Sequence, residues 1–250
     1  MMASGNGLPI EQTTWAMLPR KLQILIIVLA AFAVVILCWS SWEFANHMPD
    51  HDWIVLAALA LVTFPFCVWL PRTETIVTFG DTYLMAISLI YGPSICIIAT
   101  ALYACLSLIY ALRTANRFLF VFGFSVLVCD ALIYSLAFQF IKPTAAHEIS
   151  AYLLPAVIMA LVSFLFTSLI AATAISWRHG NRISALWVRV YLPLLPNSFI
   201  AAGAAACIAA LSASNKFVPL AVAPAIGFMW GWTRLHGKRL MRKAALEKNP

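Results

Sequence analysis

The chain has 250 residues, of which 63 % are hydrophobic and only 10 % are charged, whereas an ordinary soluble protein has about 45–50 % apolar and about 25 % charged residues. The mean hydropathy of +0.92 excludes a soluble globular domain, because a core of this size cannot bury so much apolar surface, and it indicates a membrane protein. The formal net charge is +7. The positions of the basic residues along the chain are more informative than this total.

Eight apolar segments follow one another along the chain. They predict an all-α fold, a polytopic transmembrane helix bundle of about eight spans. The first segment is longer than the apolar core of a cleavable signal peptide, so we expect it to be retained. The predicted spans are Ile24–Trp42, Trp53–Leu70, Ile76–Tyr91, Ile95–Leu112, Phe118–Ile141, Ala151–Trp177, Val188–Ser212 and Phe217–Leu235.

The third and fourth segments are separated by Gly92 and Pro93. A single helix over Ile76–Leu112 would be too long for one span. Pro93 also removes a helical hydrogen bond and disfavours the helical conformation in the residue before it. We therefore predict a short hairpin of two helices, broken at Gly92-Pro93, with this turn on the outer side of the membrane.

The basic residues test the number of spans independently. With eight spans and both termini in the cytoplasm, 14 of the 16 Lys and Arg residues lie on the cytoplasmic side, as the positive-inside rule requires. The exceptions are Lys142 and Lys216. The sequence therefore predicts a cytoplasmic N-terminal arm over residues 1–21, a transmembrane bundle over 22–236 and a basic cytoplasmic tail over 237–250.

The residue types that build catalytic and metal centres form no recognisable motif. Gly-x-Ser-x-Gly, His-Glu-x-x-His and Walker sequences are absent, so no enzyme is predicted and no cofactor is identified. The six cysteines lie in or beside apolar runs without a Cys-x-x-Cys pair, which argues against disulfides and zinc. The loop His47–Asp52 holds two His and two Asp, but Pro49 interrupts helical spacing there. Because Asp50 or Asp52 is a natural N-cap of the second span, we predict no metal site.

Asp130 is the most informative polar residue. It lies 12 residues into its span, about 18 Å from the cytoplasmic edge, where an unpaired carboxylate costs about 2.5–3.5 kcal/mol. It must therefore face the bundle interior, and Tyr134 lies one turn further on the same face. Ser163 and Asn197 lie at comparable depths in their own spans. We expect Asp130 to lie near Asn197 in a polar cluster that binds a ligand or a proton. The alternative is a protonated Asp130 that only bridges two helices.

Asp81 is a second candidate ligand-binding residue. It follows Gly80 close to the start of the short third span, where the partial positive charge of a helix N-terminus favours a carboxylate. The structural alternative is that Asp81 serves only to cap this helix.

The C-terminal tail is strongly basic. Between Gly237 and Lys248 it carries five basic residues and one acidic residue, a pattern typical of segments that contact anionic lipid headgroups. The alternative is a stalk that docks on a cytoplasmic signalling module. Nothing beyond this charge supports nucleic-acid binding.

Several short motifs resemble those of a known class of membrane proteins. They are Ile76-Val-Thr-Phe-Gly-Asp-Thr-Tyr-Leu-Met, Leu89-Ile-Tyr-Gly-Pro, the small-residue-rich span before Arg113, and Trp177-Arg-His-Gly. Over about residues 70–240 the chain resembles the multi-pass membrane sensor regions found ahead of diguanylate cyclase or HD-type phosphodiesterase domains in some bacteria. More distantly, it is similar to the substrate-binding membrane components of energy-coupling-factor vitamin transporters.

This resemblance implies a module of the bacterial inner membrane. The sequence reaches Pro250 without an output domain, so we expect signalling to require a cytoplasmic partner. We therefore expect a sensory or ligand-binding membrane module. The alternatives are a small-molecule transport component and a structural subunit of a larger membrane complex.

Overall fold

The computed structural model describes residues 15, 18–47, 51–63, 68–70, 75–77, 79–112, 117–141, 149–180, 182–211 and 222–246. Its helices are α1 (Arg20–Asn46), α2 (Trp53–Val62), α3 (Asp81–Tyr91), α4 (Pro93–Leu112), α5 (Arg117–Phe140), α6 (Ile149–His179), α7 (Ile183–Leu186), α8 (Leu195–Leu211) and α9 (Ala223–Leu246). Two strands, β1 (Val68–Leu70) and β2 (Thr75–Val77), lie between α2 and α3.

The predicted all-α bundle is confirmed, and the chain is a membrane protein. Four helical segments of the described chain are long and apolar enough to cross a bilayer. They are Arg20–Asn46, Phe120–Phe140, Ala151–His179 and Ile183–Leu211. Large apolar side chains stand exposed on their outer faces, among them Phe32 and Val35 of α1, as expected of surfaces that lipid covers.

The count of spans by this criterion is lower than the predicted eight. Helices α2 and α3 have only 10 and 11 residues, which is about 15–17 Å against a hydrocarbon core of about 30 Å. Each of the eight apolar segments nevertheless contains a helix in the described structure. The apolar pattern therefore placed a helix in each segment, but α2 and α3 are shorter than predicted. In the eighth segment, Phe217–Leu235, the described helix runs over Ala223–Leu246, and residues 217–221 lie outside the described residues.

The second predicted span, Trp53–Leu70, is wrong in its C-terminal part. Helix α2 ends at Val62, and Val68–Leu70 forms strand β1, which pairs antiparallel with β2. Pro65 follows the end of the helix in the sequence, and a proline cannot donate a helical hydrogen bond. The β-branched and aromatic residues that come next favour a strand.

The predicted start of the third span at Ile76 is wrong for a related reason. Ile76 belongs to β2, where it lies opposite Trp69 of β1. Helix α3 begins only at Asp81, after the N-cap residue Gly80. The hairpin reverses the chain between α2 and α3, so the short helices are joined by strands and not by a continuous turn of helix.

Helix α3 forms the centre of the bundle. Its eight consecutive residues from Thr82 to Leu89 are all buried, and it packs against α2, α4, α5, α6 and α8. A helix that is apolar and buried around its whole circumference belongs to a core. The short helix therefore positions the longer helices around it.

The predicted break at Gly92-Pro93 is confirmed. Helix α3 ends at Tyr91 and α4 begins at Pro93, while Gly92 has a φ of 88°, a left-handed conformation that favours glycine. The two helices form an antiparallel hairpin: the start of α3 lies beside Tyr103 of α4, and Leu84 lies beside Cys96.

The segment that was predicted as the seventh span is helical but irregular. A π-helical turn over Trp187–Tyr191 and a 3-10 turn over Leu192–Leu194 join α7 to α8. Pro193 and Pro196 lack the N–H groups that a regular α-helix needs here. One backbone group of this irregular segment has a side-chain partner: the Trp232 indole N–H donates to the Pro193 carbonyl at 3.3 Å.

Candidate functional site

The Asp130 carboxyl is buried between α5 and α6, as the sequence predicted for a carboxyl at this depth. Only 6 % of the surface of Asp130 is exposed. The Ser163 hydroxyl of α6 donates to Asp130 Oδ2 at 2.8 Å. Asp130 Oδ1 is equally buried but has no hydrogen-bond partner within the described part of the chain. Buried polar atoms in folded proteins are nearly always paired, so this oxygen is an open acceptor.

Tyr134, one helical turn beyond Asp130, belongs to the same polar group. Its hydroxyl lies 3.0 Å from Cys96 Sγ of α4, and this thiol donates to the Leu84 carbonyl of α3 at 3.3 Å. A thiol has a single hydrogen, so the tyrosine hydroxyl must donate to the sulfur. The chain of hydrogen bonds therefore joins three helices beside Asp130.

Sequence reasoning missed the part that Cys96 has in this group. The position of the cysteines in apolar runs argued only against disulfides and zinc, and the complete burial of Cys96 would also fit a packing role. The only available signal was Thr100, four residues later and so on the same helical face; its hydroxyl lies 4.0 Å from the sulfur. Which residue of another helix meets this face is a tertiary property.

A hydrogen bond between two buried serines sets the register of α3 on α5. Ser88 Oγ and Ser135 Oγ are 2.8 Å apart. Both helices run antiparallel to α4. Gly80 lies beside Tyr103 and Leu84 beside Cys96, so the contacts move in opposite directions along α3 and α4, and the start of α4 meets Tyr134 in the C-terminal half of α5. Helices α3 and α5 therefore run parallel to each other.

This register brings Asp81 and Asp130 to nearly the same level of the bundle. Asp81 precedes Ser88 by seven residues and Asp130 precedes Ser135 by five, or about 10.5 and 7.5 Å along the two helices. The levels of the two carboxyls thus differ by about 3 Å. Asp81, the first residue of α3, is only partly buried.

Asn197 lies in a separate polar pair, so the expectation that it lies next to Asp130 receives no support. Its amide Nδ2 donates to Thr233 Oγ1 of α9 at 2.6 Å, and the threonine hydroxyl donates to the Met229 carbonyl. Asn197 Oδ1 is buried with no partner among the described residues. Helix α8, which carries Asn197, packs on α3 and α6, and these helices link the two polar groups.

No basic side chain neutralises this region within the described part of the chain. Among the buried residues of the described chain, Asp130 is the only one of a charged type. Nor do the described residues contain a group of three or more His, Cys, Asp or Glu side chains that could hold a metal. In the loop His47–Asp52, Asp52 is the N-cap residue of α2 but makes no side-chain capping bond, and Asp50 lies outside the described residues.

No family model, curated protein or solved structure matches this chain.

Proposed function

We propose that this chain is a multi-pass sensory module of a bacterial inner membrane, which binds a small ligand at Asp130 and acts through a cytoplasmic partner. The observation that carries the proposal is the open Oδ1 of Asp130, buried in the bundle beside an oxygen that Ser163 already satisfies. An ionisable side chain at membrane depth is costly and usually serves a function. A purely structural bridge would use both oxygens, because an unpaired buried acceptor costs about 1–3 kcal/mol.

The helix packing supports a route from this group to the cytoplasmic end. Helix α3 contacts both α5 and α8, and α8 contacts α9. The irregular segment from Trp187 to Leu194 precedes α8, and π-helical turns often mark functional positions. Helix α9 continues through the basic residues of the tail to Leu246. A change at Asp130 can therefore reach the segment that we expect to contact anionic headgroups or a signalling partner.

A transport component is the second candidate, and the broken helices favour it. The chain is interrupted at Gly92 and again between Trp187 and Leu194, and discontinuous helices surround the substrate sites of many transporters. A sensory module changes the state of its α9 helix when the site changes. A transport component instead moves a solute across sealed vesicles, so a flux measurement separates the two functions.

Hydrogen exchange in native membrane vesicles tests the sensory proposal. We expect Asp130→Asn to change the backbone exchange of α9 and of residues 187–194 by severalfold, because the variant keeps an acceptor for Ser163 but removes the carboxyl. Asp52→Asn, which removes an exposed carboxyl outside the bundle, is the matched control and should leave these segments unchanged. If Asp130→Asn alters only α5 and α6, or nothing, then Asp130 is a structural bridge and the proposal fails.

The membrane topology makes a second prediction. Because the β-hairpin reverses the chain between α2 and α3, both termini stay on one side whether or not these short helices cross completely. We place the termini and the α6–α7 connection in the cytoplasm, from the distribution of basic residues. The exposed residues Asn46 and Ser184 should, as cysteine variants, react oppositely with an impermeant maleimide in intact cells, with the wild type as background. Equal labelling from outside would contradict this topology.

A further inference from the structure

The buried face of α1 ends in two polar residues, Ser40 and Glu43. The buried residues of this helix follow one another at alternating steps of four and three, which is the spacing of a single helical face. They are Leu22, Ile26, Leu29, Ala33, Ile36 and Ser40. Glu43 comes three residues after Ser40 and is partly buried, so it continues the face that α1 turns towards α4 and α5.

These two residues lie at one end of the bundle. Helices α1 and α5 run parallel, because Phe122 near the start of α5 packs against the start of α1. Further along, Cys129 Sγ lies 3.9 Å from the Leu29 carbonyl. Ser40 follows Leu29 by eleven residues, and Phe140, the last residue of α5, follows Cys129 by eleven. Ser40 is therefore level with the end of α5, which the distribution of basic residues places at the outer surface of the membrane.

Each of the two residues has a buried oxygen without a hydrogen-bond partner in the described part of the chain. Ser40 is completely buried, and its Oγ is unpaired, as is Oε2 of Glu43. Side chains of a helix lean towards its N-terminus, and residues three apart are neighbours on its surface. The Glu43 carboxyl therefore leans back over Ser40. Buried polar atoms are nearly always paired, so two neighbouring open oxygens indicate a place for a donor from outside the chain.

The electrostatics of this helix end favour a positive charge. Glu43 lies in the last turn of α1, which contains no basic residue, and the C-terminal end of a helix has a partial negative charge. Metal ions such as Mg²⁺ and Ca²⁺ need about six or more oxygens, and the described residues contain no group of metal-binding side chains. A primary ammonium group instead combines a positive charge with three N–H donors, of which a carboxyl and a hydroxyl can accept two.

We propose that Ser40 and Glu43 bind a primary ammonium group at the outer surface of the membrane. The ammonium donates one N–H to Glu43 Oε2 and one to Ser40 Oγ, and its third N–H faces water. The source is either the headgroup of an aminophospholipid or a water-soluble amine, which present the same three donors. The exposed Trp39 and Trp42 beside these residues are typical of the headgroup level. The inference goes beyond the proposed function, because this site shares no residue with the Asp130 site.

Hydrogen exchange of the full chain in lipid nanodiscs tests the lipid source. Phosphatidylethanolamine and phosphatidylcholine headgroups have the same net charge, but only the first has N–H donors, because the nitrogen of the second is fully methylated. We expect the backbone of residues 40–47 to exchange severalfold more slowly in phosphatidylethanolamine. Glu43→Gln, which keeps the shape but not the carboxyl, and Ser40→Ala, which removes the hydroxyl, should each reduce this difference. The control Asp52→Asn should retain it.

Water-soluble amines are tested in phosphatidylcholine nanodiscs at constant ionic strength. If the source is a soluble amine, methylammonium chloride should slow the exchange of residues 40–47 severalfold relative to tetramethylammonium chloride, which has no N–H. The same two variants should weaken this protection. Protection by the lipid or by methylammonium identifies the source. The inference is overturned if neither protects these residues, or if the protection persists unchanged in Glu43→Gln or in Ser40→Ala.

Discussion

Asp130→Leu is expected to lower the free energy of unfolding by about 2–4 kcal/mol. The larger leucine would enter a closely packed region between α5 and α6, where overpacking costs about 1–3 kcal/mol. It would also remove the acceptor of the Ser163 hydroxyl, and an interhelical hydrogen bond in a membrane protein contributes about 0.6–2 kcal/mol. Unfolding by a denaturing detergent, followed by circular dichroism, measures the change.

Asp130→Asn is the matched variant and should stay within about 1 kcal/mol of the wild type, because its carbonyl can accept the same hydrogen bond. Ser163→Ala removes the donor of that bond. In the double variant Asp130→Leu/Ser163→Ala the cost should be smaller than the sum of the single changes, since the two side chains share one interaction. Equal stability of Asp130→Leu and the wild type would show that this carboxyl is not closely packed.

Gly80→Ala is expected to destabilise the α3–α4 hairpin by about 1–3 kcal/mol. A Cβ atom at Gly80 would lie 2.7 Å from Cε2 and 2.7 Å from Cζ of Tyr103, which is well inside van der Waals contact. The Tyr103 ring is only 1 % exposed, so it cannot turn aside into lipid. The backbone of Gly80 has an ordinary helical φ of −66°, and the cost is therefore steric and not conformational. Thermal unfolding of the purified variant measures it.

Gly203→Ala provides the control for Gly80→Ala. Apart from its chain neighbours and the backbone of its own helix, no atom lies within 4 Å of a Cβ at Gly203. Alanine favours the helix over glycine by about 1 kcal/mol, so this variant should be as stable as the wild type or slightly more stable. The double variant Gly80→Ala/Tyr103→Leu replaces the ring by a smaller side chain. Its loss of stability should be smaller than the sum of the losses of the two single variants. If Gly80→Ala and Gly203→Ala melt alike, the close approach of the two helices is not a determinant of stability.

The sequence alone determined the all-α membrane fold, the order of its helices and the break at Gly92-Pro93. These features depend on local properties, namely apolar segments long enough to meet lipid and the backbone preferences of glycine and proline. The burial of Asp130 was also predictable, because the cost of a carboxyl at that depth leaves only the bundle interior. Near Val68–Leu70 the sequence did not decide between helix and strand, because a short apolar run fits both equally well.

Only the tertiary structure decided which polar groups meet. It pairs Asp130 with Ser163, Tyr134 with Cys96, and Asn197 with Thr233, and each pair joins two different helices. The sequence gives the face of each helix through its period of 3.6 residues, but the rotation and register of one helix on another follow from the packing of all its neighbours. The central position of α3 shows this most clearly, because five other elements surround a helix of 11 residues.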